Sequence, residues 1–131
     1  MKALQISTKK WWVAATVLFA LFILAIIIGA DTNHLPYALD RLYHFPGGDK
    51  VGHFILFGIM SFLLNRSALE LFPDQDAARL VLTVSLLLSI GIGLEEWSQA
   101  LFPSRTVSLI DLVAGYLGVA LFAWLAYRSH R

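Results

Sequence analysis

The chain has 131 residues, 58% of them hydrophobic and 15% charged, and a formal net charge of +1. With a mean hydropathy of +0.70, it holds too little polar surface for a soluble domain of this length, so a single membrane domain is expected. The absence of cysteine excludes a disulfide framework, a thiolate metal site and a thiol nucleophile.

Residues 1–10 are a short polar lead carrying Lys2, Lys9 and Lys10. Residues 11–30 follow without a charge, and about 20 residues at ~1.5 Å each match a ~30 Å hydrocarbon core. Trp11 and Trp12 stand where an interfacial aromatic anchor belongs. A cleaved signal peptide is the competing reading of this stretch, but its apolar run exceeds the usual ~7–15 residues of a signal core. The sequence therefore predicts a retained membrane helix. Residues 31–48 are polar. Leu35, Leu39 and Leu42 repeat at helical spacing between Pro36 and Gly47–Gly48, which predicts a short amphipathic segment at the interface, with a packed loop as the alternative.

The second span is read over 49–65, short enough to need flanking interfacial residues or a thinned bilayer. The third is read over 80–102, after a connection in which Asp74 or Asp76 caps the helix. The fourth runs over 108–127 and closes on Trp124 and Tyr127. The fold class is thus an all-α, integral membrane four-helix bundle. Four spans put both termini on one side. That side, with the connection after the second span, holds Lys2, Lys9, Lys10, Arg66, Arg79, Arg128 and Arg131, against Arg41, Lys50 and Arg105 on the other. Seven against three predicts that both termini are cytoplasmic.

The stretch over 93–111, GLEEWSQALFPSRTVSLID, organises what remains. Charge inside a span costs a few kcal/mol, on the order of 3 on insertion scales, and persists where partners or function hold it. Lys50 and His53 open the second span, Glu95, Glu96 and Gln99 close the third, Arg105 lies in the turn, and Asp111 opens the fourth. All fall at the outer end of the bundle. Helical phase agrees. Ser85, Ser89 and Gly93 form a small-residue face that Glu96 shares, Asp111 shares a face with Gly115 and Gly118, and Asp49 aligns with His53. Adjacent residues lie ~100° apart on a helix, so one of the two glutamates faces inward. Glu96 is taken as that one, and Glu95 as more exposed or protonated.

The pattern Asp49-Lys50-x-x-His53-Phe54, Glu96-x-x-Gln99, Pro103-x-Arg105 and Asp111 with Gly118 seven later resembles the VanZ family of small bacterial membrane proteins. The likeness covers roughly residues 49–122. Many family members carry an Asn four residues after the Asp, where this chain has Gly115. The resemblance implies an integral membrane protein of the cell envelope, in a family whose named member is associated with low-level resistance to the glycopeptide teicoplanin.

Each residue also has a plainer role. Asp49 is read as the N-cap of the second helix, and Ser108-x-x-Asp111 as a capping box. Lys50 can snorkel outward. Glu96 can pair with Arg105 or His53 to fix register, and Arg105 can simply balance Glu96 and Asp111. His53 is open to three readings: bundle hydrogen bonding, proton carriage or metal ligation. A metal held by His53, Glu96 and Asp111 lacks the two-His helical spacing of zinc motifs, so no metal or cofactor is expected.

The leading functional expectation is a ligand-binding membrane protein. Lys50 and Arg105 contact the anionic head of a lipid or lipid-linked envelope intermediate, and His53, Glu96, Gln99 and Asp111 orient it, with no nucleic-acid partner. The first alternative is a hydrolase or transferase whose catalytic candidates are His53, as base or nucleophile, with Glu96 and Asp111. The second is a structural module with a buried polar network.

Overall fold

The computed structural model describes residues 2–32, 34–38, 41, 47–102 and 108–130, with the side chains of 2–7 and 49 outside that description. Among these residues the chain is an all-α bundle of four long helices without strands. They are α1 (Lys2–Asp31), α2 (Gly48–Leu71), α3 (Ala77–Ser98), continued by a 3-10 turn over Gln99–Leu101, and α4 (Leu109–His130). Each is long and apolar enough to cross a membrane, over Thr8–Asp31, Lys50–Leu71, Ala77–Leu101 and Leu109–His130. The chain is a multi-pass membrane protein.

The second span corrects the expectation most. It does not stop at residue 65 but continues to Leu71, which gives it 24 residues and removes any need for a thinned bilayer. Asn65, Arg66, Ser67 and Glu70 look like loop residues by composition, yet each turns its polarity toward a partner. Asn65 Nδ2 donates to the Ser61 carbonyl at 2.9 Å and to Ser85 Oγ at 3.3 Å. Ser67 Oγ meets Thr16 Oγ1 at 2.7 Å. Arg66 reaches Glu70 at 3.3 Å and lies over the Trp12 ring at 4.7 Å. The connection to α3 is correspondingly tight. Asp76 is the residue that caps it, its carboxylate accepting from the Ala78 amide at 3.0 Å.

Asp49 is also displaced from its expected place. Gly47 precedes α2 in the left-handed conformation, φ 78°, which a residue without Cβ adopts at little cost. Asp49 is therefore the second residue of the helix, in the first turn rather than at the N-cap. After α1, the Thr32 and His34 amides bond back to Ile28 and Gly29. Leu35 then folds over Gly29, where a Cβ would stand 3.1 Å from its side chain. Leu39 and Leu42 lie outside the described residues, as do Pro103 and Arg105.

α2 is the axis of the bundle and packs against all three other helices, most extensively against α4. The α2–α4 contact is close because small residues line it. A Cβ at Gly118 would overlap the Phe54 carbonyl oxygen, and one at Gly58 would overlap the Phe122 ring. Ser61 Oγ donates to the Val119 carbonyl at 2.9 Å across this seam. α3 joins through Asn65–Ser85 and through Tyr116, whose hydroxyl donates to the Ser89 carbonyl at 3.1 Å. α1 rests on α2 alone at its well-packed part, clasped by Thr16 Oγ1, which donates toward the Leu63 carbonyl at 3.0 Å. Trp12, Arg66 and His130 meet at one end, with Arg66 Nη1 3.3 Å from His130 Nδ1. That end holds the start of α1 and the finish of α4. The site lies at the other.

Candidate functional site

At the far end, the last turn of α3 with its 3-10 continuation, the first turns of α2 and the start of α4 bring six residues together. Glu96 is the centre, 3% exposed. On its own helix it is badly placed, because the C-terminal end of α3 carries the negative pole of the helix dipole. The neighbouring helix reverses the balance. The Ser108 amide, at the entrance to α4, donates to Glu96 Oε1 at 2.6 Å, so the carboxylate sits at the positive end of α4. Gln99 Nε2 donates to the second oxygen at 3.1 Å. His53 Nε2, reaching from α2, is 3.8 Å from that same oxygen.

Asp111 completes the opening of α4. Its amide donates to Ser108 Oγ at 3.2 Å, the arrangement expected from Ser108-x-x-Asp111. Its carboxylate, in a residue 4% exposed, lies 3.7 Å from Lys50 Nζ of α2. Lys50 and His53, three residues apart, thus use one face of α2 to reach α4 and α3 respectively. Of the residues named from sequence, Lys50, His53, Glu96, Gln99, Ser108 and Asp111 come together. Arg105 and the Asp49 side chain lie outside the described residues.

Glu95 is half-buried and the more exposed of the pair, as its helical phase predicts, and both of its carboxylate oxygens accept from Gln99 Nε2, at 3.2 and 3.1 Å. Gln99 stands four residues after Glu95 and three after Glu96, the two helical spacings at which side chains meet. That spacing could have revealed a shared amide bridging both acids. Rotation by one residue turns Glu95 toward α1, where it lines a cavity of about 60 Å³ with His53, Phe57, Leu35 and isoleucines of α1. At ~30 Å³ per molecule of liquid water this is room for a few waters, not for a head group.

The chemistry available is hydrogen bonding and proton exchange. A carboxylate orients the imidazole, a second carboxylate faces a lysine, and an amide fixes both glutamates. The His53–Glu96 separation of 3.8 Å exceeds the ~2.6–3.2 Å of a working proton transfer, unless substrate or one water closes it. Among the described residues, no three His, Asp or Glu side chains are arranged to hold a metal ion. The chain matches no family model, no curated protein and no solved structure.

Proposed function

We propose that this is a VanZ-like protein of the bacterial cytoplasmic membrane that binds the anionic head of a lipid or lipid-linked cell-wall intermediate at its outer face, with both termini in the cytoplasm. The observation that carries the reading is the meeting of Lys50, His53, Glu96 and Asp111, from three different helices, at one end of the bundle. Ionisable groups at that depth persist where partners or function hold them, and their meeting supports reading this end of the bundle as the place where a head group is recognised. Lys50, 43% exposed at its side chain, gives the anion a point charge. Arg105, which the sequence sets between α3 and α4, would add a planar grip. Glu95, Glu96 and Gln99 address hydroxyl or amine donors on the same head. A role in low-level glycopeptide resistance follows if the head belongs to a cell-wall precursor.

The enzyme reading is favoured by one feature, the His53–Glu96 pair, which has the order of a base and its orienting acid. The test compares His53→Ala, Glu96→Gln and Arg105→Lys for expression, thermal stability in detergent, binding of lipid phosphates and teicoplanin susceptibility of the host. Loss of binding and phenotype with stability intact supports a ligand site. Turnover of a lipid-linked phosphate that His53→Ala abolishes moves the reading to catalysis. Parallel loss of fold and phenotype makes the cluster an assembly network, contrary to the proposal.

A further inference from the structure

One acid beside the polar cluster, Glu95, reaches the side of the bundle next to α1. α1 rests on α2 and leaves a crevice of about 230 Å³ facing α3, floored by Phe57 and Met60 and walled by Ile23 and Ile27 on one side and Leu88 on the other. Glu95 lines this crevice and also the small cavity that holds His53, and the two spaces share Ile23, Ile27 and Phe57 as well. The two spaces are thus neighbours, parted by the same three apolar side chains and Glu95.

We infer that this crevice seats the acyl chain of the lipid whose head the cluster holds, with Glu95 at the junction accepting hydrogen bonds from head-group hydroxyls. The inference rests on the head-group reading above and adds the route and the tail. Its physical basis is the order of the surfaces. A carboxylate on the wall of a lipid-facing trough costs on the order of 3 kcal/mol unless donors meet it. Gln99 supplies one donor, at 3.1–3.2 Å. An amphiphile lying in the trough brings others to the same point while its chain covers the isoleucines. From Ala20 to Ile27, and from Leu88 to Glu95, the walls run seven residues, or ~10 Å at 1.5 Å per residue. The seat therefore grips the head-proximal part of a chain and leaves the rest in the bilayer.

A larger groove of about 460 Å³ lies between α3 and α4. No titratable acid or base of the cluster lines it, and its Tyr116 hydroxyl already donates to Ser89. It is the rival seat.

The experiment places the full chain in phosphatidylcholine vesicles doped with phosphatidylglycerol carrying a diazirine near the head-group end of one acyl chain. Irradiation and peptide mapping locate the adducts. Adducts are expected at Ile23, Ile27 and Leu88, competed by unlabelled phosphatidylglycerol and not by glycerol phosphate. Gly91 lines the crevice and has nothing within 4 Å of a Cβ built there, so Gly91→Phe can start a bulky side chain at this wall without a clash at Cβ. It should lower crevice labelling and phosphatidylglycerol affinity about tenfold, a loss of ~1.4 kcal/mol. Ala20→Phe repeats the test from the opposite wall, and thermal melting checks that both variants fold.

If the wild type binds phosphatidylglycerol, both variants bind it equally well, and adducts map to Leu82 and Trp124, the crevice is refuted and the head-group reading survives. Competition by glycerol phosphate equal to that of the lipid also refutes the seat. No binding by the wild type refutes both.

Discussion

Three glycines, two on the α2–α4 seam and one on the outer face of α3, give the sharpest test of how this bundle is held. At Gly118 a Cβ would collide with the Phe54 carbonyl oxygen, backbone that cannot move without shifting α2. At Gly58 the obstacle is the Phe122 ring, which can swing. At Gly91 there is none within 4 Å. Alanine removes the entropic penalty of glycine in a helix, a gain of roughly 0.5–1 kcal/mol common to all three. Overpacking then takes away about 1–3 kcal/mol where the neighbour is fixed. Gly91→Ala should be stabilising, Gly58→Ala close to neutral, and Gly118→Ala destabilising by about 1–2 kcal/mol net. The difference between Gly118→Ala and Gly91→Ala cancels helix propensity and isolates packing. Equilibrium unfolding in mixed micelles, followed by far-ultraviolet circular dichroism, measures it. Equal stability of those two variants would refute the close α2–α4 approach, and with it the register that sets Lys50 beside Asp111.

Other outcomes follow from single contacts. Thr16→Val removes the hydroxyl that bridges Leu63 and Ser67; at ~0.6 kcal/mol per interhelical bond the loss is about 1 kcal/mol, and proteolysis near the start of α1 should quicken more than global unfolding. Lys50→Met and Asp111→Asn each leave one member of a 3.7 Å pair behind, so the double variant should be less destabilised than the sum, with a coupling of about 0.5–1 kcal/mol in a double-mutant cycle; strict additivity would remove the pair. Glu96→Gln keeps an oxygen for the Ser108 amide but can turn an N–H toward Gln99 Nε2, donor against donor. It should loosen the turn into α4 and speed amide exchange at Ser108, whereas Glu95→Gln should not. The absence of native cysteine allows single-cysteine labelling. Gln75→Cys should react only with reagent on the cytoplasmic side, and reaction from outside would invert the proposed topology.

Span number and helical phase were legible because they depend on composition and on the 3.6-residue repeat, which the bilayer enforces on every crossing segment. The same phase put Glu96 and Asp111 inside. What could not be read was where polarity is answered by a partner. Asn65 and Arg66 look like the end of a helix until Ser85, Trp12 and Glu70 are seen beside them. No local pattern marks a bond between helices that are distant in sequence. Glu95 is the more exposed glutamate, as its phase indicates, but that phase could not show that its outward face also borders α1. The Asp49 N-cap assignment failed because a positive-φ glycine supplied the helix entrance instead.

The cluster holds two grades of contact, and the contrast bears on what it is for. The bonds that build the turn are short: Ser108 to Glu96 at 2.6 Å, Gln99 to Glu96 at 3.1 Å, Asp111 to Ser108 at 3.2 Å. The first joins α3 to α4, the second lies within the end of α3 and its 3-10 continuation, and the third within the start of α4. The contacts that reach across to α2 are longer, 3.8 Å for His53–Glu96 and 3.7 Å for Lys50–Asp111, and His53 borders a space of about 60 Å³. A network serving assembly alone gains by closing such distances, since attraction between charges falls with separation and rises as water is excluded. Here the short bonds fix the acids, and Lys50 and His53 approach them from α2 at 3.7 and 3.8 Å. A head group meeting Lys50 and His53 from the α2 side would leave the Ser108–Glu96 bond between α3 and α4 untouched, so the proposed binding need not cost the fold that link.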